Sequence, residues 1–163
     1  MNTKLEPWAL RLVPPARLVS MIAAWLVLAL ANLGHAATNT VTSLADSGAG
    51  SLRQVIASSA SEDSILFGVT GTITLTSGEL LIDKGLTITG PGTSSLAING
   101  AKASRIFNIQ SNVTALISSL TVTNGQAPNT GISPGEPGGG IYNSGTLWVS
   151  NCVIAGNFSK APY

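Results

Sequence analysis

Beyond residue 36 the carboxylates of this chain are Asp46, Glu62, Asp63, Glu79, Asp83 and Glu136, the first residues from which chemistry can be asked. Glycoside hydrolysis needs two carboxyl groups a few ångströms apart, one a proton donor and the other a base or nucleophile. β-Elimination of a uronate needs a Ca²⁺ site of clustered carboxylates and a basic residue to take the α-proton. Glu62 and Asp63 are adjacent, but at a helix-to-strand turn they read as a solvated edge rather than a metal site. Glu79 and Asp83 flank a strand, with Lys84 beside Asp83, and read as turn polarity and edge protection. From residue 85 to the end the single carboxylate is Glu136, inside SPGEPGGG. Arg105 would accept a proton only in a strongly perturbed site and reads as a surface residue at the start of a strand. Cys152 is the one cysteine; it makes no intramolecular disulfide and reads as a small buried hydrophobe. The one histidine, His35, precedes residue 36, which takes the commonest general base and metal ligand out of the remainder. The sequence therefore offers no catalytic, cofactor-binding or metal-binding constellation, and no cofactor is expected.

The balance of charge narrows the partners. The 163 residues carry 8 Lys and Arg against 7 Asp and Glu, a net charge of +1, and only 9% are charged. An average soluble domain has roughly 25%. Setting aside Lys4, Arg11, Arg17 and Glu6 leaves five bases and six acids beyond residue 36. No polybasic nucleic-acid surface and no basic membrane patch can be built from these. Residues 1–36 read as an export signal: a basic stretch, then the apolar run LVSMIAAWLVLALANL from Leu18 to Leu33, then Gly34-His35-Ala36 with small residues at both ends. Cleavage is expected after Ala36, leaving no membrane span. The rival reading is a retained anchor helix, although the run falls short of the ~20 residues a span needs.

The elements that must position any site are announced by repetition. VTALISSLTVTNG, from Val113 to Gly125, matches GTLWVSNCVIAGN, from Gly145 to Asn157, at a constant step from Thr114 to Thr146. ELLIDKGLTITG, from Glu79 to Gly90, repeats the theme. The expected alignment sets Leu80 and Ile82 on Ala115 and Ile117, and Leu86 and Ile88 on Leu120 and Val122. It sets Ile109 on Ile141, and gives Cys152 the slot of Leu120 and Leu86. Apolar residues alternate with Thr, Ser or Asn in short bursts bounded by Gly, Pro and Asn, which is the pattern of short half-buried strands. One stretch differs: Leu52, Val55 and Ile56 stand at helical spacing after Ser51, a suitable N-cap. Gly138-Gly139-Gly140 is followed by neither Lys-Ser/Thr nor a helix and reads as a turn, not a phosphate loop.

The runs ADSGAGSLRQVIASS, GTITLTSGELLIDKGLTITGPG, SRIFNI, LTVTNG and GGGIYNSGTLWVSNCVIAGN resemble the amino end of bacterial right-handed parallel β-helix proteins of the pectin-lyase-like fold. More narrowly they resemble exported polymorphic outer membrane protein-like or adhesin-like chains, in which GG-[AG]-I and a downstream GN recur once per coil. The resemblance spans about Asn39 to Phe158. It implies an all-β solenoid of about three coils with a short N-terminal capping helix, divided into a signal (1–36), a strand-helix-strand cap (37–67) and coils (68–163). The chain stops at Tyr163 directly after a repeat, as the amino end of a longer array would. Residues 37–163 made alone would leave Leu147, Val149, Cys152 and Ile154 as an uncovered final rung, and are expected to self-associate through it or to be only marginally folded.

The implied role is that of an outer-surface or secreted passenger that displays loops to a glycan or cell-surface partner. Thr87, Thr89, Thr121, Thr123, Ser118 and Ser150 are expected to face solvent as a polar stripe, with Trp148 or Tyr142 available to stack on a sugar. The loop from Gln126 to Glu136 is the best candidate for variable recognition. The competing reading is a polysaccharide lyase or glycosidase whose catalytic coils lie outside this stretch, because the fold hosts both classes.

Overall fold

A strand buried on one face needs an apolar residue at every second position, and bursts such as Leu86-Thr87-Ile88-Thr89 supply that and little more. The elements are correspondingly brief. A computed structural model describes residues 36–128 and 137–159. Residues 1–35 of the expected 1–36 signal, most of the 126–136 loop and Glu136 lie outside the described residues. Twelve strands are present there: β1 (Thr38–Val41), β2 (Asp63–Phe67), β3 (Gly71–Thr74), β4 (Leu80–Ile82), β5 (Leu86–Thr89), β6 (Leu96–Asn99), β7 (Phe107–Ile109), β8 (Thr114–Ser118), β9 (Thr121–Thr123), β10 (Ile141–Asn143), β11 (Thr146–Ser150) and β12 (Val153–Ala155). One helix, α1 (Leu52–Ser58), lies between β1 and β2.

The chain is mostly β, and its strands form three parallel sheets. The first has the order β1-β2-β5-β8-β11, the second β3-β6-β9-β12 and the third β4-β7-β10. From β2 onward each strand joins the first, second and third sheet in strict rotation. Parallel neighbours in register set like residues on like residues. Ile65, Ile88, Ile117 and Val149 make one inward column, and Ile73, Ile98, Val122 and Ile154 another. Exposure is 0% along the first until Val149, at 42%, and at most 1% along the second until Ile154, at 49%. The interior is therefore continuous and dry from β2 to β9, and open on the side of the last strands.

Helix α1 is where its periodicity sets it. The Ser51 hydroxyl accepts from Gln54 N–H at 3.2 Å, and Leu52, Val55 and Ile56 are buried in the cluster that holds Val41 and Ile65. The β8–β9 and β11–β12 corners between first and second sheets each turn on a left-handed residue, Ser119 at φ 56° and Asn151 at φ 49°. Asn151 Nδ2 donates to Ser119 Oγ at 3.1 Å, so the two corners are also bonded to each other.

The step from Thr114 to Thr146 holds through β8–β11 and β9–β12, with Ala115 against Leu147 and Val122 against Ile154. The earlier alignment needs correction. Leu86 and Ile88 lie against Ala115 and Ile117, and Leu80 and Ile82 against Phe107 and Ile109. The error is one whole sheet: ELLIDKGLTITG turns from the third sheet into the first, whereas VTALISSLTVTNG turns from the first into the second. Both corners show the same alternation, so the pattern alone cannot tell one from the other. Ile141 likewise pairs with Phe107, not Ile109, because four residues separate β7 from β8 and only Ser144 and Gly145 separate β10 from β11.

The triple glycine sits in a seam of close backbone approach. A methyl on Gly100 would lie 2.7 Å from Gly125 Cα, and one on Gly125 would collide with Gly139 O. Gly140 O meanwhile accepts from both Ile106 and Phe107 N–H at 3.0 Å.

The columns generate a differential prediction. Ile98→Ala removes a wholly buried side chain with strands on both sides and should cost about 2–5 kcal/mol. Ile154→Ala, at the open side of the same column, should cost less than about 1 kcal/mol. Urea unfolding of the two variants measures the difference; equal losses would contradict the column.

Candidate functional site

A concentration of polar side chains lies where α1 meets the turns before and after β4. Arg53, on α1, donates from Nη1 to Glu79 O and from Nη2 to Gly78 O and Asp46 Oδ1, each at 2.7 Å. Asp46 Oδ2 accepts from Ser77 N–H at 2.8 Å, Thr76 Oγ1 at 3.1 Å and the Ser77 hydroxyl. One guanidinium thereby ties the loop after β1, the helix and the turn after β3. Burial alone would push the Asp46 carboxyl up, but the hydrogen bonds from Ser77, Arg53 and the Thr76–Ser77 backbone outweigh it and hold it well below the usual carboxylate range.

Lys84 closes the other end of the helix. Its Nζ lies 3.5, 3.3 and 3.2 Å from the carbonyl oxygens of Ile56, Ala57 and Ser59 and 3.6 Å from Asp83 Oδ1. The last carbonyls of a helix lack partners and carry the negative end of its dipole, and an ammonium satisfies both. Between these ties is a cavity of about 270 Å³, whose lining includes Arg53, Ile56, Glu79, Leu81, Asp83 and Lys84. Its two cations are committed to backbone oxygens, which makes it a joint between elements rather than a reaction centre.

A second cluster runs up the outer side of the third sheet. Leu81, Asn108 and Tyr142 are register partners. Glu79 accepts from Asn108 Nδ2 at 2.6 Å and from Arg105 Nη1 at 3.4 Å, and the Arg105 guanidinium lies 4.6 Å from the Tyr142 ring centroid. Arg105 is 6% exposed, so the expectation of a surface residue is corrected. Its charge is balanced by a carboxylate 26 residues earlier in the chain and its face covered by a ring 37 residues later, partners that local sequence does not announce. Glu79 is likewise a partner in this stack rather than edge protection.

Asp63 is the other carboxylate that the sequence misplaces. Glu62 is exposed as expected, but Asp63 is 4% exposed and accepts from Ala37 N–H at 2.7 Å, Ala60 N–H at 2.8 Å and Asn39 Nδ2 at 2.9 Å. The Ala37 and Ala60 backbone bonds, more than Asn39, hold its carboxyl below the usual range. Of the polar stripe, Ser150 is exposed, Thr87, Thr89, Thr121 and Thr123 are half-buried, and Ser118 is buried with its hydroxyl 3.2 Å from Thr89 Oγ1. Trp148 stands 65% exposed above Leu116. Cys152 is half-buried over Leu120, not over Leu86, at the corner of the last strands. Asn157, of the GN pair, accepts from Gly125 N–H at 2.7 Å and donates to Val122 O at 3.0 Å, a structural tie between successive strands.

Among the described residues no three of His, Cys, Asp and Glu come together as a metal site, and no helix is long and apolar enough to cross a membrane. No family model, no curated protein and no solved structure matches the chain.

The lowered carboxylates set an acid limit. Asp46 and Asp63 titrate lower folded than the ~3.9 of an unfolded Asp. Their contribution is therefore complete above that value and is lost as pH falls through the lowered folded values. The melting temperature should hold from pH 7 to about 5 and drop steeply below about 4. Asp46→Asn should lower the pH 7 value and flatten the acid limb; an unchanged limb would contradict the assignment.

Proposed function

We propose that the chain is an exported structural scaffold, a right-handed parallel β-helix whose coils stiffen a surface passenger and whose loops meet a glycan or cell-surface partner. The observation that carries this reading is the strict rotation of short parallel strands among three sheets, with like residues stacked in register. Such a stack is stiff along its axis and tolerates insertions at its corners. Helix α1 fits the role of an N-terminal cap, since Leu52, Val55 and Ile56 pack into the same core as the first strands. The resemblance to adhesin-like passengers and the signal-like residues 1–36 favour export, and the compact unit begins at Ala36, one residue before the expected mature start at Ala37. An epitope inserted after Thr130 tests this. In bacteria producing the full chain, the tag should be reached by antibody on intact cells or in the medium, without loss of the melting transition. Confinement to the cytosol would overturn the reading.

The open side of the last strands extends this proposal to a partner, a second copy of the chain. Thr146 N–H donates to Val113 O at 2.8 Å and Ser150 O accepts from Ser119 N–H at 3.2 Å. Backbone alternation then turns the N–H and C=O of Leu147 and Val149 to the free edge of β11. An antiparallel pairing of two β11 strands centred on Trp148 sets Leu147 opposite Val149 of the second copy. Both stay on the inward side, and their free N–H and C=O groups bond to each other. Residues 137–159 contain no Asp, Glu, Lys or Arg, so like charges do not oppose this contact.

The directly opposed residue 148 comes within ~4.5 Å Cα to Cα of its copy, inside disulfide range. In a Cys152→Ser background, full-length Trp148→Cys should form a disulfide-linked dimer on air oxidation, and Thr146→Cys, offset from its copy, should not. Equal linkage of the two variants, or none, would contradict self-pairing.

A further inference from the structure

The buried Asp63 carboxylate is held by three donors, none of them a cation. Its Oδ1 accepts the Ala37 N–H at 2.7 Å across 26 residues, and its Oδ2 accepts Ala60 N–H and Asn39 Nδ2. Ala37 is fixed from its other side as well, because its carbonyl accepts from Ser64 N–H at 2.8 Å. The nitrogen that touches the carboxylate belongs to the peptide bond after Ala36, the bond at which the small-residue triplet directs cleavage. We infer that hydrolysis of the Ala36–Ala37 bond places the new α-ammonium on Asp63, so that processing converts a neutral hydrogen bond into an ion pair that anchors β1 to β2. The inference rests on the export reading.

The chemistry balances with water and a membrane-bound signal endopeptidase. Water adds its hydroxyl to the Ala36 carbonyl carbon and a proton to the Ala37 nitrogen as the C–N bond breaks. The freed amine takes a second proton from solvent, since an α-amino group is mostly protonated at neutral pH. The nitrogen need not move, because the Asp63 and Ser64 contacts already hold Ala37. A cation supplied at one of the existing donors gives the carboxylate a counter-ion in place of a neutral donor.

Few other charges bear on the pair. Strand β1 carries none, and Glu62 beside Asp63 is exposed. On α1, Arg53 is committed to Asp46. Lys84 reaches Ser59 O at 3.2 Å and lies beside Asp83.

The test is made on the product that bacteria export from the full chain. N-terminal sequencing should begin at Ala37. Its α-amine, acylated with acetic anhydride across pH 6–10, should react at pH 7 about tenfold more slowly in the native protein than in urea, corresponding to one unit of raised amine pKa. Asp63→Asn should bring the native rate to within about twofold of the unfolded one. Should that variant fail to fold, the wild-type pH profile decides by its midpoint, which a purely steric shield would not raise. A product beginning at Ala37 whose native midpoint equals that in urea overturns the inference and leaves export standing. A product that retains residues 1–36, or begins elsewhere, overturns the cleavage assignment and the inference together.

Discussion

Stacking of Ile, Val and Leu in register, one strand spacing apart, is the interaction on which everything else in this chain depends. Strands of three to five residues have too few hydrogen bonds to persist alone. Each is held because its inward side chain meets a similar one above and below, removing apolar surface from water at roughly 25 cal/mol per Å². Ile88 and Ile98 are covered on both sides and fully buried; Val149 and Ile154 are covered on one side and are not. With a single cysteine and few ion pairs among the described residues, this repeated contact is the principal source of cohesion.

Polar groups act on this core from its corners. Arg53 and Lys84 fasten α1 by satisfying carbonyl oxygens, the first from the turn before β4 and the second from the helix's own last turn. Asp46 accepts from the Ser77 backbone N–H, and Asp63 from those of Ala37 and Ala60, so each carboxylate ties one segment to another. The Arg105–Glu79–Asn108 stack ties side chains of successive segments on the outer side of the third sheet. These residues are few in a chain that is 9% charged, and among the described ones most are engaged in holding one element to another.

What the sequence discloses and what it withholds divide along physical lines. Helix α1 and its Ser51 cap are legible because their signals lie within seven residues. The β8–β11 register is legible because two corners of the same kind recur at the same step. The β5–β8 register is not, since every corner carries the same Leu/Ile alternation and only turn length, which varies, separates one sheet from the next. Burial of Arg105, Asp63 and Ser118 is hidden for a related reason: Glu79, Ala37 and Thr89, respectively among their partners, lie 26 to 29 residues away and are brought near only by the stacking itself. A polar residue beside a turn is solvated by default, and nothing local distinguishes the exceptions.

One continuous core is shared by successive strands and is exposed at β11 and β12, the last described strands. Native-state amide hydrogen exchange on the full chain reads this directly, because protection follows the free energy of opening each segment. The slowest exchange is expected in β5, β6 and β8, with progressively faster exchange in the monomer through β9 to β11 and β12. Protection in β11 and β12 equal to that in β5, in a protein that remains monomeric, would contradict it.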